Sequence, residues 1–468
     1  MSSILFKHLR TSPLGILSVA AAALLAAGCG GSIDSAGNAT GNVATGPSFL
    51  IGTDAPLASV TSFAVQIDSI DAVTATGTSV PLLSGTPTVD FARFNGLQTL
   101  LDMNDVPVGT YSNIAITLGP ATIAYLNTGS GAPTIQTEAA TFTTSTVNIT
   151  LVNPLIVAQT GPVGIHLDFD LVKSIQVASG QITGTVTPTF NVSTVANTDS
   201  GAYIDEFDAA VVSVNTTAQT FVVQGPHGRD FTINVNGNTE WDNNESLSAL
   251  TTSSIVAISG ELDRADVTID ADEVAILSQN GFYADGQVTY VTPASGAATS
   301  FDLYVRGLLP TTTGLTLGQI AQVDLSGQEN FFICRMHNPL TQFLFNSSAL
   351  LPGQAVAIGG PASGATNSQA VSVKRVVLRH WGYNGAVVPG SLNMSNGTFQ
   401  MQVTGFAGLL VPQTITVYVA NNTAFRFGLA GMSSVVTPSI NVRVVGLLLK
   451  NPASGQDVLL ARYVDELN

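Results

Sequence analysis

Carboxylates are the residues of this sequence whose spacing could do chemistry. In His166-Leu-Asp-Phe-Asp170 two acids stand two residues apart. In a strand that spacing puts Asp168 and Asp170 on one face, as a paired acid and base or a cation site. The preferred reading is plainer: Leu167, Phe169 and Leu171 face a core, and the acids face solvent or cap a neighbouring loop. Asp102-Met-Asn-Asp105 reads as a loop, and Asp242-Asn-Asn-Glu245 follows an aromatic strand. Oxygen-rich loops suit calcium, but neither has the set of ligand positions that a calcium loop requires. The run Asp263, Asp266, Asp270, Asp272 and Glu273 reads as a strand-edge connection whose charge discourages aggregation. His166, His227, His337 and His380 fall in four separate segments, with no HExxH pair and no Cys/His cluster, so neither a metal site nor a cofactor is expected. No G-x-S-x-G elbow and no phosphate-binding loop occurs, so no catalytic residue is nominated. Among aromatics, Trp381 and Tyr383 in His380-Trp-Gly-Tyr383 are the candidate ligand-binding platform, set against simple packing at a junction between domains.

The cysteines divide sharply. Cys334, flanked by Phe331-Phe332-Ile333 and Met336, reads as a buried small hydrophobe. Cys29 sits in a different context. Lys7 and Arg10 precede an apolar run from Leu14 to Leu25 that ends in small residues, the pattern of a secretory signal peptide and too short a run to span a bilayer. Leu25-Ala-Ala-Gly-Cys29 resembles the lipobox of bacterial lipoproteins, with Ala26 where the usual box has Leu. The resemblance implies that Cys29 becomes the lipid-modified first residue of the mature chain, carrying palmitate. Gly30 in place of Asp after the cysteine implies the outer membrane. The expected membrane contact is this anchor alone, because no other segment approaches 18 consecutive apolar residues.

Composition narrows the partners. The chain has 468 residues, 15 bases and 31 acids. Loss of the signal peptide removes two bases and no acid, taking the net charge from -16 to -18. That sign argues against nucleic acid and against docking on anionic lipid. With only 10% charged residues, Ser, Thr, Asn and Gln must cover most of the surface.

These residues must be positioned by strands. Residues 1–28 read as signal peptide and 29–47 as lipidated cysteine and flexible tether, since Gly30 to Pro47 is rich in Gly, Ser, Ala, Thr and Asn. From Ser48 onward apolar and polar residues alternate, as in Phe63-Ala-Val-Gln-Ile-Asp-Ser-Ile70 and Tyr111-Ser-Asn-Ile-Ala-Ile-Thr-Leu118, between Gly, Pro and Asn turn signals. The only helix suggested is a short one over Phe94 to Leu101. The expected fold class is all-β: an N-terminal β-sandwich over 48–200, then three small tandem β-barrel or sandwich modules over 201–281, 282–382 and 383–468.

The pieces Ile51-Gly-Thr-Asp-Ala-Pro56, Val106-Pro-Val-Gly-Thr-Tyr111, His166-Leu-Asp-Phe-Asp170 and Lys173-Ser-Ile175 resemble, in order, a family of bacterial lipoprotein domains of unknown function across about Ser48 to Thr194. The resemblance implies a compact sandwich and no activity. The later modules share four elements. Thr/Ser-Phe strands start at Phe221, Phe301 and Phe399, and Thr-x-aromatic motifs end at Trp241, Phe343 and Phe425. Strands closing on Gly260, Gly360 and Gly446 follow, and each unit ends on an apolar strand. First Phe and aromatic lie 20, 42 and 26 residues apart, which places an insertion at about Leu308 to Asn338 in the middle unit. These units are similar to a second uncharacterised domain family of exported bacterial proteins. The expectation is a non-enzymatic envelope lipoprotein that binds, adheres or serves as a spacer, with a glycan or an envelope protein as partner. The rivals are a polysaccharide-binding protein of a glycan-uptake system, which needs an exposed aromatic platform, and an exported hydrolase, which needs a concavity with convergent titratable groups.

Overall fold

The computed structural model describes residues 43–467, apart from 128–131, 196–201, 226–227, 264–267, 280, 311–313, 334–339, 341, 362–369, 406–408 and 437–439. The expectations for the signal peptide, Cys29, Cys334, His227 and His337 lie outside the described residues, as does the tether up to residue 42. Among the described residues no helix is long and apolar enough to cross a membrane.

The alternating segments are strands, and the alternation decides which side chains are buried. Phe63, Val65 and Ile67 are fully buried in one strand, and Ile114 and Ile116 in its neighbour. Each such side chain contributes about 1.5–3 kcal/mol of burial energy. The first region contains β1 (Thr45–Ala55), β2 (Val60–Val73), β3 (Ser79–Pro81), β4 (Thr88–Asp90), β5 (Thr99–Pro107) and β6 (Gly109–Asn127). It continues with β7 (Thr134–Phe142), β8 (Thr146–Val157), β9 (Val163–Asp170), β10 (Ile175–Ala178), β11 (Gln181–Val186) and β12 (Phe190–Val195). One sheet has the order β12-β9-β1-β5; the other runs β10-β11-β7-β6-β2-β3, with β4 on β2 and β8 on β6. A shared core of Leu50, Phe63, Ile116, Leu167 and Phe169 joins the two faces as a sandwich.

Three details differ from expectation. β1 begins at Thr45, inside the expected tether, because antiparallel pairing from Thr45↔Pro107 to Leu50↔Asp102 holds it to β5. The suggested helix at Phe94 is instead a single 3-10 turn, Phe91–Arg93, which leads into β5. Asp102-Met-Asn-Asp105 lies in β5, not in a loop, and Asp102 accepts hydrogen bonds from Ser84 N at 2.6 Å and Asn104 Nδ2 at 3.0 Å.

Three further sheets follow. The first has β13 (Tyr203–Asn215), β14 (Thr220–Gln224), β15 (Asp230–Asn234), β16 (Glu240–Trp241), β17 (Ile255–Asp263) and β18 (Thr268–Ser278). Antiparallel pairing runs β15-β14-β13-β17-β18, and a parallel β15–β18 contact closes the ring. The second has β19 (Phe282–Thr292), β20 (Ser300–Leu309), β21 (Ile320–Asp324), β22 (Asn330–Ile333), β23 (Ala355–Gly360), β24 (Val371–Ser372) and β25 (Arg375–Arg379). The third, β26 (Trp381–Val387), β27 (Thr398–Val403), β28 (Thr414–Arg426), β29 (Asn441–Lys450) and β30 (Asp457–Glu466), is a closed barrel in which β28 and β30 are parallel. Phe221, Phe301 and Phe399 are all buried on the second strand of their sheets. Asp270, Asp272 and Glu273 belong to β18, which is paired on both sides, so this part of the acidic run is not an edge, whereas Asp266 lies outside the described residues. Glu273 is buried, and burial holds its carboxyl well above the usual range.

Register corrects the aromatic motif of the middle unit. Trp241 pairs with Val274 and Phe425 with Val464 on the last strand of their barrels. The residue so placed in the middle sheet is Phe331, opposite Val376. Thr239 and Thr423 each accept from the backbone N–H three residues earlier and donate to the last strand, at Ala271 O and Ala461 O. Glu329 replaces them, accepting from Ser326 N at 2.6 Å. Phe343 lies beyond this site and packs edge-on against Tyr418 of the third barrel, 5.2 Å between centroids. The extra chain therefore follows β22, before the 3-10 turn Ser347–Ala349, while the β20–β21 connection is matched by Thr404–Gln413 in the third barrel.

From Val43 onward the parts make one compact unit, and their cores merge. Phe49, Ile51, Leu100 and Met103 of the sandwich pack into the core of the first barrel. Leu447, Leu449, Val458 and Leu460 of the third enter that of the second, and Leu277, Tyr283 and Val377 join the first to the second.

Candidate functional site

Charged side chains emerge from otherwise apolar strands where the four parts meet. A bulge between Ile204 and Phe207 in β13, with Glu206 at φ 44°, brings Asp205, Glu206 and Asp208 to the junction. Arg379 ends β25; its Nε lies 2.8 Å from Glu206 Oε2 and its Nη1 2.9 Å from Asp208 Oδ1. His380 Nδ1 contacts the other Glu206 oxygen. The Tyr283 hydroxyl donates to Asp208 Oδ2 at 2.5 Å. From the sandwich, Arg93 Nη2 reaches Asp208 at 3.2 Å and Asp285 at 3.1 Å. Gly307 faces Asp285 across the β19–β20 pair, and a methyl group there would collide with Asp285 and Arg93. From the third barrel, Arg462 Nη2 lies 2.9 Å from Asp205 Oδ1. Arg306 Nε donates to Thr61 O at 2.6 Å and its Nη2 to Ala92 O at 2.8 Å.

Burial alone would raise the Glu206 carboxyl, but Arg379, His380 and Arg462 outweigh it and hold the group far below the usual carboxylate range. Asp208 goes the other way, raised by burial despite Arg379 and Arg93. Burial also pushes the Tyr283 phenol well up. Glu206, Asp208, Arg379 and His380 border a cavity of about 560 Å³ between the sandwich and the later sheets, in the size range of small-molecule sites.

A second cavity, of about 530 Å³, lies between the sandwich and the third barrel. Its floor follows from the parallel β1–β9 pair, which sets Thr53 beside Asp168 and Ala55 beside Asp170. The Thr-Asp-Ala-Pro and Asp-Phe-Asp pieces, over a hundred residues apart in sequence, thus share one sheet end. Leu167, Phe169 and Leu171 are buried in the sandwich core. Asp170 Oδ1 caps the short helix Leu171–Ser174 by accepting from Lys173 N, and its Oδ2 pairs with Lys173 Nζ at 3.1 Å. Asp168 accepts from Asn191 Nδ2 at 3.2 Å, and burial raises its carboxyl. The third barrel supplies Asn384, Arg443, Phe427 and Arg426, the last held by Asp465 at 2.7 and 2.9 Å.

The expected aromatic platform is not exposed. Trp381 and Tyr383 retain 4% and 1% of their surface, because β26 opens the third barrel against the junction. Arg306 stacks over the indole at 4.5 Å, and the Tyr383 hydroxyl donates to Gly353 O at 3.2 Å. Both side chains are packed at the junction, with Trp381 also lining the cavity there. Glu245 of the Asp242–Glu245 segment forms an ion pair with Arg375 of the second sheet at 2.5 Å. Sequence reasoning missed Arg306, Arg379 and Arg462. The available signal was a guanidinium directly after three apolar residues of a strand, in Leu-Tyr-Val-Arg306, Val-Val-Leu-Arg379 and Leu-Leu-Ala-Arg462, in a chain with few charges.

Comparison with known families falls on this geometry. Residues 50–188 match a domain of unknown function (DUF4382). The DUF4382 match covers the sandwich from β1 to β11 and both pieces that border the second cavity. Residues 209–275 match another domain of unknown function (DUF5666), which covers most of the first barrel. No curated protein matches the chain.

Proposed function

We propose that this chain is an exported envelope protein held at the outer membrane by lipid on Cys29, and that it displays a rigid β body whose role is binding or structural, not catalytic. We further read the three later sheets as tandem copies of one module, from their shared strand order and the equivalent Trp241, Phe331 and Phe425 positions.

The observation that carries the proposal is the junction network. A flexible spacer would leave modules as independent beads, whereas Arg93, Arg379 and Arg462 each bind carboxylates of another part of the chain. Removing one member of such a buried pair typically costs about 3–5 kcal/mol, so the parts resist separation. Val43 just before β1, Val108 between β5 and β6, and Ile156 on β8 are 68%, 43% and 61% exposed, and Val108 N donates to Ala44 O at 2.8 Å. An apolar edge at the root of the tether suits a face turned toward lipid. A hydrolase is the second reading, favoured by the Glu206–His380 contact beside the junction cavity. The commitment of Glu206 to two guanidinium groups as well weighs against a catalytic carboxylate.

Labelling of expressing cells with radioactive palmitate, followed by membrane fractionation, tests the anchor. The expected result is labelled protein in the outer-membrane fraction and no label in Cys29→Ser. Unlabelled wild-type protein free in the periplasm would overturn it. Protease shaving of intact cells then reports which face carries the body.

A further inference from the structure

We propose that the cavity between the sandwich and the third barrel is a binding site for a neutral saccharide, with Phe427 as its stacking surface. This inference rests on the non-catalytic binding role argued above and gives that role a site and a ligand class.

Four side-chain atoms on the cavity walls have no hydrogen-bond partner among the described residues: Thr53 Oγ1, Asp168 Oδ1, Asn384 Oδ1 and Arg443 Nε. Asn384 keeps only 3% of its surface, and Arg443 Nε is 3.7 Å from Asp465, beyond hydrogen-bond reach. Buried polar groups are normally satisfied, so a cluster of unsatisfied ones around a single cavity marks a place shaped for something else. Three are oxygens and one is an N–H donor. Acceptors and a donor together complement hydroxyl groups, each of which both gives and takes a hydrogen bond.

The charges point to a neutral ligand. Arg426 is already bound by Asp465, and Lys173 by Asp170. An anion would meet Asp168, and among the described residues no group of three His, Cys, Asp or Glu side chains is placed to hold a metal ion. The cavity volume of about 530 Å³ falls in the range of small-molecule sites. At its rim Phe427 is 60% exposed and has φ 52°, a left-handed conformation that bulky residues rarely adopt. An aromatic ring held in the open beside unsatisfied polar groups offers an apolar sugar face its stacking partner. The glycan reading of the sequence thus moves from Trp381 and Tyr383 to Phe427.

The test is saturation-transfer NMR on the mature chain with maltotriose, cellotriose, xylotriose and chitotriose. Transfer to at least one trisaccharide is expected, weakened about tenfold in Phe427→Ala and in Asp168→Asn. An unchanged unfolding midpoint in Phe427→Ala would show that the loss is one of binding. Transfer to none of the four, transfer unaffected by both variants, or a response to calcium chloride alone would overturn the inference. Palmitate labelling is read separately, so failure here leaves the anchored body standing, and failure there leaves the site standing.

Discussion

The junction and the second cavity are built from the same residue types, aspartates and arginines at strand ends, yet they are finished differently. At the junction Arg379 spans Glu206 and Asp208, Arg93 spans Asp208 and Asp285, and Arg462 holds Asp205. In the cavity beside the third barrel, Thr53, Asp168, Asn384 and Arg443 each leave one polar atom without a hydrogen-bond partner among the described residues, Arg443 Nε keeping a 3.7 Å ion-pair contact with Asp465. At the junction opposite charges hold protein to protein, although Asp208 Oδ1 and the Arg462 nitrogens meet their ion-pair partners outside hydrogen-bond geometry; in the second cavity the unsatisfied atoms are spread over four side chains that line one space. Single buried carboxylates also respond to pH in opposite senses, Glu206 in one and Asp208 and Asp54 in the other. The depressed Glu206 contributes stability that is present above its unfolded value of 4.5 and is lost on acidification. Asp54, buried on β1 beside the second cavity and raised by burial to about 8, has the opposite sign.

The comparison can be broken most forcefully at Arg379. Arg379→Ala leaves two buried carboxylates short of their cation and should lower stability by about 3–5 kcal/mol, read from denaturant midpoints. Next comes Asp54→Asn. Between pH 3.8 and about 8 the unfolded chain releases this proton while the folded chain keeps it, so wild-type stability falls as pH rises across that window. The variant should match wild type near the low end and exceed it by roughly a few kcal/mol near pH 8, as followed by thermal unfolding. An identical slope in both proteins would remove the contrast. Gly307→Ala inserts a methyl group against Asp285 and Arg93 and should cost about 1–3 kcal/mol in the same assay. Phe427→Ala should change stability by less than about 0.5 kcal/mol, because the ring is mostly exposed.

The strands were legible because alternation is a local signal. Phe63, Val65 and Ile67 announce a buried face within five residues. The strands that begin at Phe221, Phe301 and Phe399 were legible for the same reason, and each of these rings is buried. The middle aromatic was misread because Thr341-Gln-Phe343 satisfies the motif by composition, while the structural site uses Glu329 in place of the threonine hydroxyl. The candidate sites were hidden for a different reason. Arg379 and Glu206 are 173 residues apart, and only closure of the barrels brings them together. An exposed Phe427 cannot be told from a core phenylalanine when both follow an alternating strand. Asp168 was singled out by its spacing, but the cavity that it lines is completed by Asn384 and Arg443 of the third barrel, far away in sequence.

The central claim, that sandwich and barrels are fastened into one body by the buried junction, is tested most directly by calorimetric unfolding of the mature chain. A single cooperative transition in the wild type, split into separate transitions in Arg379→Ala, is the predicted result. Two or more independent transitions in the wild type, unchanged by that substitution, would contradict it.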